Sequence, residues 1–250
     1  MSATAALDRL AMRARPEGTP IMHQRWENLL FLHWSIDPNV LRTALPSELE
    51  LDTFEDKAWI GITPFALTNV HLTSMPPIPG LNAFEEINVR TCVHYRGIPG
   101  IWFFSLDASK VIPAVAARTF FLLPYFKAQV KFEQTAPEFH FSSARIGLPA
   151  AHFRATWRTG VRLRDPDLES LAFFLVERYC YFAVQEGAVY ATRIYHHPWI
   201  LDEATVQSHT STMIGATGIP EPGAAPLAYF SRELEVDIWK PASASSLLVT

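Results

Sequence analysis

The sequence predicts an α+β fold dominated by an antiparallel β-sheet that curls or closes into a barrel. About ten segments have the residue pattern of β-strands, whereas only three or four have that of helices. Most neighbouring strands are separated by short turns, as in hairpins, which argues against repeated βαβ units. The chain has 250 residues and is 49% hydrophobic, which is enough to bury one large core. We therefore expect a single domain over residues 25–241, preceded by an N-terminal lead (1–24) and followed by a C-terminal tail (242–250).

The first predicted strand spans residues 26–36, where apolar and aromatic residues occupy both sets of alternating positions, as in a strand covered on both faces. Asp37 and Pro38 then supply a helix cap and a first-turn proline, which predict a short helix. Residues 49–72 predict a hairpin that turns near residues 54–57. The proline-rich segment 75–81 predicts a stiff loop, which we interpret as a rim.

The centre of the chain predicts a strand, a helix and a second strand. Residues 101–106 are almost wholly apolar, so we expect a central strand flanked on both sides. Asp107 or Ser109 would cap a helix that runs to about Phe121. Pro124 would end that helix, because the residue before a proline disfavours the α conformation, and alternation then resumes.

The remaining segments complete the sheet. Further strands are predicted at residues 139–145 and 152–164, in a hairpin over 179–195 that turns at 185–187, and at 227–239. A helix opened by Asp165 and Pro166 would cover the sheet with one apolar stripe. Between residues 205 and 218 the pattern leaves strand and helix open.

Charge and cysteine content restrict the class of partner. The net charge is −4 and the pI is about 6.1, which disfavours nucleic acid and acidic membranes as partners. The two cysteines, Cys92 and Cys180, indicate reduced thiols rather than a secreted disulfide framework. We therefore expect a cytoplasmic protein whose partner is a small organic molecule, an organic acid being one candidate. The sequence leaves open whether the chain forms a homo-oligomer.

Familiar catalytic motifs are missing from the sequence. It contains no nucleophile-elbow GxSxG, P-loop, dinucleotide glycine pattern, HExxH or CxxC. We expect no cofactor, which leaves small-molecule binding or a cofactor-independent reaction. His196 and His197 are adjacent, so in a strand they point to opposite faces, and we predict no metal site.

The strand at residues 85–96 carries the main candidate site. Its apolar residues alternate with Glu86, Asn88 and Arg90, which therefore share one face. If the sheet closes, this face lines an interior in which Glu86 and Arg90 can hold a polar ligand. The alternative is a solvated outer face.

Two further features have a structural and a functional interpretation. Arginines at 154, 158, 162 and 164 share one strand face, which is either an anion-binding surface or simply solvated. Asp107 is either a helix cap or a general base.

Several long segments resemble one known family. They are WENLLFLHWSIDPNVLRTALPSELELD, WIGITPFALTNV, PPIPGLNAFEEINVRTCV, GIPGIWFFSLDAS, AARTFFLLPYFKAQV and FSRELEVDIWKP. Together they resemble the YqjF-like family, domain of unknown function 2071, within the acetoacetate decarboxylase-like superfamily. The resemblance covers residues 25–241 and implies a cone-like β-barrel with covering helices.

In acetoacetate decarboxylase the resemblance implies a Schiff-base lysine beside a second, activating lysine. Matching the segment AARTFFLLPYFK places this pair at Tyr125 and Phe126, neither of which is an amine. A supporting carboxylate falls on Glu86. Lys127 shares a strand face with Tyr125, about 6.6 Å along the chain, but it lacks the adjacent cation that would activate it.

We therefore predict a small-molecule-binding barrel, or an enzyme of unknown reaction, that lacks the Schiff-base lysine. The predicted ligand contacts are Glu86, Asn88, Arg90, Trp102, Phe104, Tyr125 and Lys127, with Trp59 as a further aromatic wall residue. Glu86 and Lys127 are the candidate catalytic groups. The alternatives are a keto-acid decarboxylase or related lyase that uses Lys127, and a non-catalytic scaffold that acts through the outer arginine face.

Overall fold

The computed structural model describes residues 7–110, 122–135 and 137–248, and most of them lie in β-strands. The strands are β1 (Met22–Ile36), β2 (Glu50–Leu51), β3 (Ala58–Leu72), β4 (Phe84–Tyr95), β5 (Ile98–Ala108), β6 (Tyr125–Thr135), β7 (Glu138–Arg145), β8 (His152–Arg162), β9 (Cys180–Gln185), β10 (Ala188–Tyr195), β11 (Asp202–Ser211), β12 (Leu227–Ile238) and β13 (Ala242–Ser243). The helices are α1 (Pro38–Ala44) and α2 (Leu171–Val176), with short 3₁₀ segments at Gly215–Thr217 and Ala244–Leu248. Within these ranges, no helix has the length and apolar character needed to span a membrane.

Nine strands close into a barrel in the order β5-β6-β7-β8-β11-β12-β1-β3-β4. Its interior is filled by side chains such as Trp157, Phe141, Phe153 and Phe230, each with at most 1% of its surface exposed. The barrel is therefore a packed core. The predicted α+β, predominantly antiparallel barrel is confirmed, although β5 pairs in parallel with both β6 and β9.

A second ring of strands lies on the other face of the same sheet. It closes because Ile194 and Tyr195 of β10 pair with Ile238 and Asp237 of β12, giving the order β4-β5-β9-β10-β12-β1-β3. Strands β1, β3 and β4 belong to both rings and send alternate side chains to each. In β4, Ile87 packs into the filled barrel, while Glu86 faces the second ring.

Local sequence signals account for several of these elements. The Asp37 carboxylate accepts a hydrogen bond from the amide of Asn39 at 2.8 Å and caps α1, as predicted. Strand β5 is central, with β4 on one edge and both β6 and β9 on the other. The β9–β10 hairpin turns at Glu186 and Gly187, both at positive φ. Residues 205–211, the first part of the segment that the pattern left open, belong to β11.

Other predictions differ from the structure. Asp107 lies inside β5, where it is fully buried and accepts hydrogen bonds from Arg145. The helix predicted to run on to Phe121 falls on residues 111–121, outside the described part of the chain. Helix α2 begins at Leu171, because the Ser170 hydroxyl accepts from the amide of Phe173 at 3.2 Å and caps it there.

Pairing of the short elements was also unexpected. Strand β2 pairs with β4 rather than forming a hairpin with β3. In the C-terminal tail, Ala242 and Ser243 pair with β10, and Ala244 is buried against the sheet. These C-terminal residues therefore pack against a strand of the second ring.

Candidate ligand-binding site

A cavity of about 350 Å³ lies within the second ring. Its walls come from β1, β3, β4, β5, β9, β10 and the loop between β3 and β4. Most of the lining is apolar, and the polar lining side chains include Thr63, Glu86, Asn88, Arg90, Tyr125, Arg178 and His196. An apolar pocket with a few converging polar groups has the composition of a small-molecule site.

The pairing of β3 with β4 fixes the order of the polar groups along one wall. Glu86 lies opposite Phe65, Asn88 opposite Thr63, and Arg90 opposite Gly61. A Cβ atom at Gly61 would lie 2.8 Å from the ring of His33, so this position requires glycine for close packing.

Glu86 and Tyr125 form a buried hydrogen-bonded pair. The Tyr125 hydroxyl donates to Oε2 of Glu86 at 2.8 Å, and Glu86 is only 3% exposed. Burial raises the pKa of Glu86 to about 7, an effect that hydrogen bonds from Tyr125 and Asn88 partly offset. Burial also raises the pKa of Tyr125 well above its usual value. At neutral pH, Glu86 is therefore divided between its acid and carboxylate forms, while Tyr125 keeps its proton.

Arg90 lines the cavity without a carboxylate partner among the described residues. One guanidinium nitrogen donates to the carbonyl of Leu175 at 3.4 Å, and Nε has no hydrogen-bond partner there. The guanidinium carbon lies 5.3 Å from the centre of the Phe31 ring. Burial lowers the pKa of Arg90 to about 10, so the side chain remains a cation at neutral pH.

Two arginines that are more deeply buried than Arg90 form ion pairs with carboxylates. Arg145 forms a two-pronged pair with Asp107, with N···O distances of 2.6 and 2.8 Å. Arg178 bonds Asp52 at 2.9 Å, and Arg9 bonds the same carboxylate. Because a buried charge normally requires such a partner, the environment of Arg90 differs from theirs.

Next to Arg90, the cavity wall also has unused hydrogen-bonding capacity. Thr63 and Asn88 face each other across β3 and β4, and both are buried. The Thr63 hydroxyl and the Asn88 side-chain oxygen have no hydrogen-bond partner within the described residues. Buried polar atoms of this kind usually have a hydrogen-bond partner, so a bound molecule can supply the missing hydrogen bonds.

The structure brings Glu86, Asn88, Arg90 and Tyr125 to one cavity. Their roles in ligand binding stay predictions, but their shared location answers the question that the alternating pattern left open. The polar face of β4 lines an interior rather than meeting solvent.

The predicted position of Trp59, Trp102 and Phe104 on the wall is corrected, because none of them lines the cavity. A β-bulge in β5 leaves Phe104 between the residues paired with Val89 and Arg90. The bulge shifts the alternation of side chains, so that Phe103 and Leu106 both face the cavity. Trp102 and Phe104 instead pack on a separate apolar cluster, and Trp59 packs beside the cavity.

Lys127 is likewise not brought to the cavity, and its side chain is exposed. It pairs with Ala108, the last residue of β5, so it lies beyond the end of that wall. Tyr125, two residues earlier, still reaches Glu86.

Several lining residues were not predicted. One of them is Arg178, although an arginine within an apolar segment indicates a buried ion pair, here with Asp52. His196 is buried, and both ring nitrogens face backbone carbonyls, at 2.7 and 3.1 Å. Over residues 7–110, 122–135 and 137–248, no group of three His, Cys, Asp or Glu side chains is arranged to hold a metal ion. The arginines at 154, 158, 162 and 164 are exposed on the outer surface.

Solved structures share this fold at low sequence identity. Enduracididine biosynthesis enzyme MppR complexed with pyruvate aligns with a TM-score of 0.64 and 12% identity, covering 90% of this chain and 91% of that one. An acetoacetate decarboxylase aligns with a TM-score of 0.60 and 14% identity, covering 91% and 90%. The acetoacetate decarboxylase of Legionella pneumophila aligns with a TM-score of 0.58 and 15% identity, covering 97% and 98%. The fold is therefore acetoacetate decarboxylase-like.

The sequence itself matches a more specific group. The uncharacterized protein YqjF of Bacillus subtilis is 41% identical over 224 residues, which covers 90% of this chain and 93% of that protein. The model of the DUF2071 family, described as an uncharacterized conserved protein, matches residues 23–235. As the resemblance in the sequence implied, the chain belongs to the DUF2071 family.

Proposed function

We propose that the cavity binds a small organic acid whose carboxylate pairs with Arg90. The observation that carries the proposal is a half-buried guanidinium that lines the cavity, whose Nε is buried without a hydrogen-bond partner, and that has no carboxylate partner in the described part of the chain. Leaving a cation in this position costs free energy, which a bound carboxylate would offset through charge-assisted hydrogen bonds.

Neighbouring groups support the same class of ligand. The Thr63 hydroxyl can donate to a keto or hydroxyl oxygen next to the carboxylate, and the Asn88 oxygen can accept from a ligand hydroxyl. Glu86, whose pKa is raised to about 7, carries less than a full negative charge at neutral pH and so repels an anionic ligand less. MppR, which shares the fold, has been solved with pyruvate, itself a carboxylate.

The geometry favours binding over a lyase reaction through Lys127. A Schiff-base amine must reach the carbonyl carbon of its substrate, whereas the Lys127 side chain is exposed and lies off the cavity wall. Among the five lysines of the chain, none lines the cavity in the described residues.

The proposal is tested by calorimetry with paired acids and esters. Pyruvate, acetoacetate and butyrate should bind to the wild-type protein, and their methyl esters should bind at least about tenfold more weakly. Arg90→Gln should lose a similar factor for the acids and little for the esters, since it removes the charge and keeps a polar group.

Arg154→Gln is the matched control, because it makes the same change on the exposed outer surface. Equal affinity for acids and esters, or unchanged acid binding by Arg90→Gln, would overturn the proposal.

A further inference from the structure

We infer that the ligand is an elongated, amphipathic acid, held with its carboxylate at the inner end of the cavity and its apolar chain extending to the mouth. This inference rests on the proposed function, because it assumes that Arg90 binds the carboxylate. It adds the shape, the polarity and the direction of the bound molecule.

Strand β4 orders the cavity from mouth to inner end. Phe84, Glu86, Asn88 and Arg90 line it in succession. Phe84 and Arg90 are six positions apart in extended strand, a span of roughly 20 Å. Arg90 lies at the end of this row near α2, whose Leu175 carbonyl accepts its hydrogen bond. The loop that joins β3 to β4 lies at the opposite end.

This loop presents an apolar mouth. Leu72, Met75 and Ile78 all line the cavity, yet they are 43%, 45% and 46% exposed. Exposed apolar side chains that are continuous with a cavity mark a binding surface, and an apolar chain that leaves the cavity would cover them.

Between mouth and inner end, the wall is mainly aromatic and aliphatic. Trp26 packs edge-on against Phe65 and stacks with Trp199, with ring centres 5.6 and 6.1 Å apart, and all three line the cavity. Glu86 is the ionisable residue on this part of β4, and the Tyr125 hydroxyl already donates a hydrogen bond to its carboxylate. The middle of the cavity is therefore mainly suited to methylene groups, although Nε1 of Trp199 has no hydrogen-bond partner among the described residues, and the oxygens without partners, on Thr63 and Asn88, lie next to Arg90.

The orientation follows from this division. A carboxylate at the mouth would leave Arg90 without an anion and would place the apolar chain against Thr63 and Asn88, whose oxygens need polar partners. With the carboxylate at Arg90, the charged group meets a cation and the apolar chain reaches a mouth that contains Leu72, Met75 and Ile78, although Gln24 and His71 also line that end.

A chain-length series tests the inference by calorimetry with acetate, butyrate, octanoate, decanoate and hexadecanoate. We expect affinity to rise along the series, by up to about fourfold for each methylene that becomes buried. The double variant Met75→Gln/Ile78→Asn should weaken hexadecanoate severalfold and leave acetate and butyrate unchanged, because only a chain of that length spans the roughly 20 Å from Arg90 to the mouth.

Leu148→Asn is the matched control, since Leu148 is an 87% exposed apolar residue that does not line the cavity. Circular dichroism and melting temperature verify that each variant is folded. Both substituted loop residues are partly exposed, so the fold should tolerate the changes.

The outcomes separate the two proposals. If no acid in the series binds, the proposed function fails. If acetate and butyrate bind as tightly as decanoate, the proposed function stands and this inference is overturned. If the loop variant weakens every acid equally, acetate included, the carboxylate lies at the mouth and the inferred orientation is overturned.

Discussion

The Tyr125 hydroxyl donates a hydrogen bond to the carboxylate of Glu86. The two residues lie on β6 and β4, which are not neighbours in the sheet because β5 lies between them. The bond is 2.8 Å long, and its acceptor lies on the wall of the cavity. The pair thus links the wall of the cavity to β6, a strand of the filled barrel. It also determines how the site responds to pH.

The first prediction concerns the pH dependence of stability. Because the pKa of Glu86 rises from 4.5 to about 7 on folding, the folded protein holds more protons between these pH values than the unfolded chain. The free energy of unfolding should therefore have a contribution that is fully present below pH 4.5 and is lost as pH rises through 7. Relative to Glu86→Gln, this contribution is on the order of 2–3 kcal/mol.

Urea denaturation of both proteins from pH 4.5 to 8 measures this difference. Subtracting the two curves removes the titration of groups common to both, such as His33 and His196, provided that the glutamine keeps the hydrogen bond from Tyr125. Parallel curves would show that Glu86 does not titrate in this range.

The second prediction is that Arg90→Met does not destabilise the ligand-free protein. The substitution removes a half-buried cation that has no carboxylate partner in the described residues and replaces it with an apolar chain of similar length. We expect an unfolding free energy that is unchanged or higher by about 1–2 kcal/mol, together with loss of carboxylate binding. Denaturant melts measure the first effect and calorimetry the second, and a loss above about 1 kcal/mol would mean that Arg90 stabilises the fold.

The third prediction is the opposite result for Arg145→Met. Arg145 neutralises Asp107, and both side chains are almost completely buried, so the variant leaves an isolated carboxylate in the core. We expect a loss of about 3–5 kcal/mol in denaturant unfolding. The double variant Asp107→Asn/Arg145→Met should recover part of the loss, because it removes both charges. No recovery would indicate that the packing of Arg145 on Phe126, 3.8 Å from guanidinium carbon to ring centre, dominates instead.

The fourth prediction is that Lys127 forms no Schiff base with a keto acid. Its side chain is exposed and is separated from the cavity that holds Glu86 and Arg90. Incubation with pyruvate or acetoacetate and borohydride, followed by peptide mass spectrometry, should detect no stoichiometric adduct at this residue. An adduct that disappears in Lys127→Ala would restore the lyase interpretation, and Lys131→Ala provides the control at another exposed lysine on β6.

Sequence reasoning succeeded where the relevant signal is local. Alternation in β4 predicted that Glu86, Asn88 and Arg90 share one face, because the side-chain period of a strand is two. It left open whether that face meets solvent, because the answer depends on the second ring. That ring closes through pairs such as Ile194 with Ile238, and no pattern within either segment indicates the pairing.

Long-range partners explain the main errors. Asp107 precedes a segment with helical pattern and resembles a cap, but its buried position depends on Arg145, 38 residues later. Strand β5 is apolar on both faces, so its sequence does not indicate which residues face the cavity, and the bulge at Phe104 leaves no local signal. Lys127 was placed by counting along the strand, which does not show where the neighbouring strand ends.

The shared sheet has a consequence for how this family can diversify. In β3 and β4, successive side chains point alternately into the cavity and into the filled barrel. Substitutions of the cavity-facing residues therefore need not disturb the side chains that pack the barrel. The lining of the cavity can therefore change at every second residue of these strands, while the intervening residues preserve the common architecture.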